Sequence, residues 1–261
     1  MEKLNILFLG TGNAIPTKAR SHSAILLSYK NENILVDCGE GTQRQFKFAN
    51  ISPTKLTKIL ITHWHGDHIL GLPGLFQTLK MSNYARTLHL YGPLGSKEAI
   101  KIIDKIARIK IKLEVREISS TSSPFLDTQD FSLSAKQMLH QTPTLAYSFL
   151  LKDKIRLEKS KLKKFKLPQS PILKDLKQGK SISFKGKIIS PKQVSKIEKG
   201  KKITFILDTK FNLSAVHLAK HSDLIISEAS FSNSESALAS EYLHLTAQQA
   251  ATIAKKSNSK K

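Results

Sequence analysis

Short apolar runs separated by turn-forming residues organise most of the chain. Residues 4–9, 23–28, 34–37, 58–62, 88–91, 113–118, 131–139, 145–151, 203–207 and 224–227 each predict a strand: they are brief, rich in Ile, Leu, Val and Phe, and bounded by Gly, Pro, Asn or Asp. Lys30-Asn31-Glu32-Asn33 reads as the turn of a hairpin between the second and third of them. Apolar residues recur at helical spacing in 69–82, 96–108, 215–220 and 247–256, and 39–50 predicts a loop entering a helix. No repeat of fixed period is present. Strands outnumber helices and the two alternate in blocks, which predicts an α/β protein with helices covering sheet faces.

Residues 152–202 break this pattern. They hold eighteen Lys or Arg against four Asp or Glu, punctuated by Pro168, Pro171, Gly179, Gly186, Pro191 and Gly200. On composition they are either a long solvated insertion or an arm that grips phosphates. The predicted organisation is therefore residues 1–151 as the first part of a domain, 152–202 as a basic arm and return segment, and 203–261 as the second part of the domain. The whole chain carries 42 Lys or Arg and 20 Asp or Glu, a net +22, which favours a polyanionic partner. Lysine makes up all but six of the cations, a bias that an AT-rich genome also produces. At 261 residues and 40% hydrophobic the chain can bury a sizeable core, so wholesale disorder is excluded. Its apolar runs are far shorter than the ~20 residues of a membrane span, so no membrane partner is expected. The first apolar run is too short for a secretory signal. One cysteine, Cys38, excludes an internal disulfide framework and fits a reducing compartment. Cytoplasm is the default location, and a Lys-rich chain without a transit segment also suits an organelle-encoded protein of the plastid stroma.

The densest chemistry is His63-Trp64-His65-Gly66-Asp67-His68, directly after an apolar run. Imidazole nitrogens and carboxylate oxygens are the ligands of catalytic zinc. On a tight loop His63 and His65 face one side and Asp67 and His68 the other, so the loop can serve two adjacent metals. A polar loop without metal does not call for four ligand-type residues at this density. His140 and Asp208 each follow a predicted strand, and Glu228 and His244 follow the next two segments. All four thus fall where a layered fold gathers its loops on one edge.

The six-residue motif, with His140 and Asp208 in order, resembles the metallo-β-lactamase superfamily. The further set Leu9-Gly10-Thr11-Gly12-Asn13-Ala14-Ile15-Pro16-Thr17 with Arg20, Asp37-Cys38-Gly39-Glu40-Gly41-Thr42-Gln43, Gly71-Leu72-Pro73-Gly74-Leu75, Tyr91-Gly92-Pro93, Asp208-Thr209, Glu228-Ala229 and His244-Leu245-Thr246-Ala247 resembles the ribonuclease Z family of tRNA 3′-processing endonucleases. The resemblance implies an αββα sandwich with a protruding basic arm. It also implies two zinc ions per subunit: one on His63, His65 and His140, a second on Asp67 and His68, with Asp208 bridging both. It implies a homodimer acting on precursor tRNA, held through Arg20 and arm lysines such as Lys163, Lys164, Lys166, Lys174 and Lys177. Hydrolysis would leave a 3′-hydroxyl on the tRNA and a 5′-phosphate on the trailer, with Asp67 orienting the attacking water, His244 as proton donor or phosphate clamp, and Glu228 orienting His244. The family's last metal-binding histidine lies on a strand after the final helix, where this sequence stops at Lys260-Lys261, which implies a weakened second site or a fragment. Two other readings stay open: a hydrolase of small sulfate or phosphate esters with the same fold, and a catalytically impaired tRNA-binding relative.

Overall fold

The computed structural model describes residues 3–119 and 123–261. A six-stranded sheet takes its strands in sequence order: β1 (Leu4–Gly10), β2 (Ala24–Tyr29), β3 (Glu32–Val36), β4 (Lys58–Leu60), β5 (Leu88–Gly92) and β6 (Leu113–Glu117). The first three pair antiparallel and β3 to β6 pair parallel. Helices α1 (Thr42–Phe48), α2 (Gly66–Ile69), α3 (Leu72–Met81) and α4 (Ser96–Ala107) belong to this half. The second sheet begins with β7 (Leu126–Asp127), β8 (Phe131–Gln137) and β9 (Leu145–Leu151). The chain then leaves it through β10 (Lys154–Leu157), α5 (Lys159–Lys164), α6 (Leu173–Lys177), β11 (Ile182–Phe184), β12 (Lys187–Ile189), α7 (Pro191–Val194) and β13 (Ser195–Glu198). It returns as β14 (Lys202–Ile206), α8 (Leu213–Ala219), β15 (Leu224–Ser227), α9 (Ser236–Glu241) and α10 (Ala247–Lys256), giving the order β15-β14-β9-β8-β7.

Period-2 side-chain alternation turns these strands into layers. In β2, Ala24 and Leu26 join a core with α1, α3 and α4, while Ile25, Leu27 and Tyr29 face the other sheet. In β9, Leu145, Tyr147 and Phe149 enter the same inter-sheet core, while Ala146 faces α8 and α10. Strands buried on both faces explain why the sequence shows near-continuous apolar runs rather than clean alternation. The result is the expected helix–sheet–sheet–helix sandwich. Among the described residues no helix is long and apolar enough to cross a membrane.

Three local expectations are corrected. The predicted four-residue turn is a two-residue one, because Tyr29 pairs with Glu32 and Glu32-Asn33 belong to β3; Lys30 takes the left-handed φ of 53° that so tight a turn requires. The predicted helix 69–82 is split at Gly71, and the motif expected as a loop is helical from Gly66 to Ile69, only His63-Trp64-His65 remaining non-helical. Residues 152–202 are not a bare solvated loop. Here β10 pairs with β13 and β11 with β12, and Leu167, Leu176, Ile182, Ile189 and Val194 bury a small core of their own.

Candidate metal centre

Strand polarity collects the predicted ligands. In the first sheet β3 and β4 run parallel; Asp37 directly follows β3, and His63 lies three residues beyond the end of β4. In the second, β8, β14 and β15 share one direction and lead to His140, Asp208 and Glu228. The apolar pattern predicts a strand running on to Leu139. Instead it ends at Gln137, and Leu139 bridges to Lys210, which sets His140 beside the Asp208–Thr209 turn.

The donor atoms converge. One each from His63, His65, His140 and Asp208 lie within 4.8 Å of one another, as do those of Asp67, His68 and Asp208. Asp208 Oδ2 stands 3.6 Å from His63 Nε2, 3.4 Å from His68 Nε2 and 4.0 Å from His140 Nε2. His65 Nδ1 is 3.3 Å from His140 Nε2, and Asp67 Oδ2 is 3.5 Å from His68 Nε2. Asp208 thus belongs to both groups, which come from both sheets, and also to a third set within the same 4.8 Å, with Glu228 and His244.

Outer partners fix the ring orientations. His68 Nδ1 lies 2.6 Å from Asp37 Oδ2 and donates to it. Thr62 gives both its N–H and its hydroxyl to the same carboxylate, at 2.7 Å each, so its oxygen accepts from His63 Nδ1 at 3.0 Å. His140 Nδ1 donates to the Leu243 carbonyl at 3.2 Å. In each case the network assigns the proton to Nδ1 and leaves Nε2 facing the cluster, the arrangement metal-binding histidines adopt. His63 Nε2 is buried without a hydrogen-bond partner, and burial, reinforced by the neighbouring His68, pushes its pKa down to about 2, so it is neutral. For Asp208 burial raises the pKa, but the bond and charge of His68, with His63 and His244, overcome it and hold the carboxyl well below the usual range. A neutral imidazole with an orphaned nitrogen amid ionised carboxylates fits a divalent metal better than any protein partner.

His244 stands beside this set, its ring centroid 5.1 Å from that of His140. Its Nδ1 lies 2.9 Å from Glu228 Oε1, which also accepts the Thr209 N–H, while Glu228 Oε2 accepts from Ser230 N at 3.3 Å. Burial alone would lower the His244 pKa; the Glu228 bond and charge, with Asp208 and Asp67, raise it instead. Arg20 is exposed on a turn closed by Thr17 and lies outside the cluster. Lys163, Lys164, Lys166, Lys174 and Lys177 are exposed on the arm. Trp64 donates to Ser96 Oγ and packs into the first core. Asp37 escaped the sequence reading as a functional residue, although an acid closing a fully apolar strand is a visible signal: buried carboxylates demand partners.

Two glycines let the loops cross. A Cβ on Gly71 would stand 2.1 Å from the Gly39 carbonyl oxygen, and one on Gly39 would stand 2.3 Å from that of Asp67. Gly71→Ala should therefore lower stability by about 1–3 kcal/mol and reduce metal content by pushing α2 outward. Thermal melting and metal analysis of the variant check this; unchanged metal content would show that the crossing does not position Asp67 and His68.

Known proteins share this architecture. The chain is 43% identical over 257 residues to a ribonuclease Z of Nanoarchaeum equitans, covering 98% of this chain and 80% of that one. It is 37% identical over 261 residues to a ribonuclease Z of Lactococcus lactis, covering 97% and 85%. Human tRNase Z, short form, superimposes with a TM-score of 0.72 at 26% identity, over 98% of this chain and 89% of that one. The metallo-β-lactamase fold protein YhfI of Bacillus subtilis shares the fold, with a TM-score of 0.70 at 16% identity over 100% and 84%. The family described as Anti-Pycsar protein Apyc1 matches residues 4–159.

Proposed function

The chain belongs to the ribonuclease Z family of endoribonucleases with the metallo-β-lactamase fold, and from that premise we propose that it removes the 3′ trailer of precursor tRNA. The products would be a 3′-hydroxyl on the tRNA and a 5′-phosphate on the trailer. The observation that carries this reading is the extent of the match. The relatives align through 97–98% of the chain, the basic segment 152–202 included, whereas the Anti-Pycsar likeness ends at residue 159.

In this reading His63, His65 and His140 would hold one zinc ion and Asp67 and His68 a second, with Asp208 available to both groups. Zinc, when bound, supplies Lewis acidity toward the phosphate and lowers the pKa of water to ~7. The chain's own groups do the rest. Asp67, whose Oδ2 lies 3.5 Å from His68 Nε2 in the second donor group, is the carboxylate placed to orient the attacking water or take its proton. As the phosphorus–O3′ bond breaks, His244, gripped at Nδ1 by Glu228, delivers a proton from Nε2 to the departing 3′-oxygen. Arg20, Lys163, Lys164, Lys166, Lys174 and Lys177 would meet phosphates of the tRNA, and residues 152–202 would act as an arm between domain parts 1–151 and 203–261, in a homodimer. Aliphatic lysine stems suit helical RNA, which is recognised largely by shape and backbone.

The test is cleavage of a precursor tRNA bearing a 3′ trailer, with zinc or manganese supplied and product ends mapped. A single cut leaving a tRNA 3′-hydroxyl is expected. The triple variant K163E/K164E/K166E should bind precursor more weakly, with the salt dependence of binding reduced by about one unit of slope for each phosphate no longer engaged. Its hydrolysis of bis-p-nitrophenyl phosphate should be unchanged. The Anti-Pycsar likeness covers the His63–His68 motif and His140 but leaves out nearly all of the arm, and a site that works without the arm is the other reading: hydrolysis of a small phosphate ester. Ester turnover without tRNA cleavage would select it, and tRNA binding without either activity would mark an impaired relative.

A further inference from the structure

At the end of the sandwich opposite the donor cluster, the arm and the body enclose a groove of about 1400 Å3. Leu4, Leu151, Ile203 and Leu224 contribute its body side, Leu162 and Leu173 of α5 and α6 its arm side. Strands β14 and β15 start here and end toward Asp208 and Glu228, so on the order of 15 Å of strand separates the two places. Most rim cations are neutralised: Lys154 and Lys30 bond Asp130, Lys201 bonds Asp223, and Arg156 pairs with Glu198. Lys3, Lys159, Lys174 and Lys177 are exposed and have no acidic partner among the described residues.

We propose that this groove binds an acidic amphipathic segment of a partner protein, its apolar face on the leucines and its carboxylates on the four lysines. The volume exceeds the ~300–1,000 Å3 of small-ligand sites. A helix about 10 Å wide rising 1.5 Å per residue fills it with roughly a dozen residues. Single-stranded nucleic acid fits the charge but not the surface, because unpaired bases stack on aromatic platforms, and helical RNA, held through its phosphates and 2′-hydroxyls, meets the exposed arm lysines but leaves the aliphatic floor uncovered. Tyr29 is the one aromatic lining residue among those described; it is 2% exposed and its hydroxyl accepts from Lys154. A planar bilayer does not reach a floor walled by the arm. Unneutralised cations around an aliphatic floor are instead the complement of a Glu-and-Leu helix.

The experiment uses the full chain with zinc supplied and a fluorescein-labelled 12-residue peptide carrying Glu on one helical face and Leu on the other. Fluorescence polarisation should report saturable binding that weakens with salt, at least tenfold tighter than a scrambled isomer. The K3E/K159E variant should bind at least tenfold more weakly, with K3Q/K159Q between and thermal melting confirming that both fold. Lys174 and Lys177, candidate tRNA contacts, stay unaltered so that groove occupancy and tRNA binding are separable. Equal binding of the scrambled peptide, or undiminished binding by the double variant, overturns the proposal. So does poly(U) binding that is abolished in K3E/K159E while the peptide fails to bind.

Discussion

His244→Ala is expected to slow precursor cleavage by roughly 10²–10⁴-fold with metal content unchanged. His244 Nδ1 is committed to Glu228 at 2.9 Å, and Glu228 is itself fixed by the Thr209 and Ser230 amides, so this imidazole is braced from the side away from the cluster. His63, His65 and His140 with Asp208 form a complete four-donor group without it, and in the set it forms with Asp208 and Glu228 its Nδ1 is already bonded to Glu228. Loss of metal in the alanine variant would make His244 a ligand and end its assignment as proton donor. Glu228→Gln gives a second readout. Glu228 raises the His244 pKa against the opposing effect of burial, so neutralising it lets that pKa fall. The acid form is then depleted at lower pH, and the alkaline limb of the kcat profile should move to lower pH while acid-side rates stay near those of the unaltered protein. A profile parallel to the original would show that Glu228 does not tune the donor.

The other large effect lies just outside the cluster. Asp37→Asn should cost about 3–5 kcal/mol of stability, the range for leaving a buried charge network broken, and lower metal affinity about 10–100-fold. Asp37 is fully buried and receives three donors: the Thr62 amide, the Thr62 hydroxyl and His68 Nδ1. A carboxylate accepts all three. An amide offers one oxygen, and its NH2 group then faces a donor. Asp37 also sits at a left-handed φ of 57°, which asparagine tolerates, so the substitution isolates the polar effect from backbone strain. Metal titration, with melting of the chelator-treated protein, checks both parts. Unaltered affinity would mean that His68 keeps its orientation without this carboxylate.

Much of this was legible in the sequence for a physical reason. Strands buried on two faces must be apolar throughout, and ligand residues packed into 63–68 have few other uses. The residues after strands, His140, Asp208 and Glu228, were legible because β8, β14 and β15 run in one direction and deliver their carboxyl ends to one edge; His244 follows α9 instead and was legible only as a histidine after an apolar segment. Asp37 was hidden because its partner His68 lies 31 residues away, and one acid after a strand looks like another. The elements of residues 152–202 were hidden for a different reason. Their core residues Leu167, Leu176, Ile182, Ile189 and Val194 follow no steady period, and a run of lysines around sparse apolar positions reads as solvated chain. The Gly66–Ile69 turn reads as loop because four residues show no periodicity.

The donors that gather around Asp208 come from both sheets. His63, His65, Asp67 and His68 ride on the first; His140 and Asp208 on the second. A metal seated there is a rivet through a seam, and its hold depends on how the two plates are aligned. The alignment is set by the layer between the sheets, by Tyr147, Phe149 and Phe205 packed with Ile25, Leu27 and Val36. Repacking that layer is therefore a way of altering the affinity for metal without touching a single ligand.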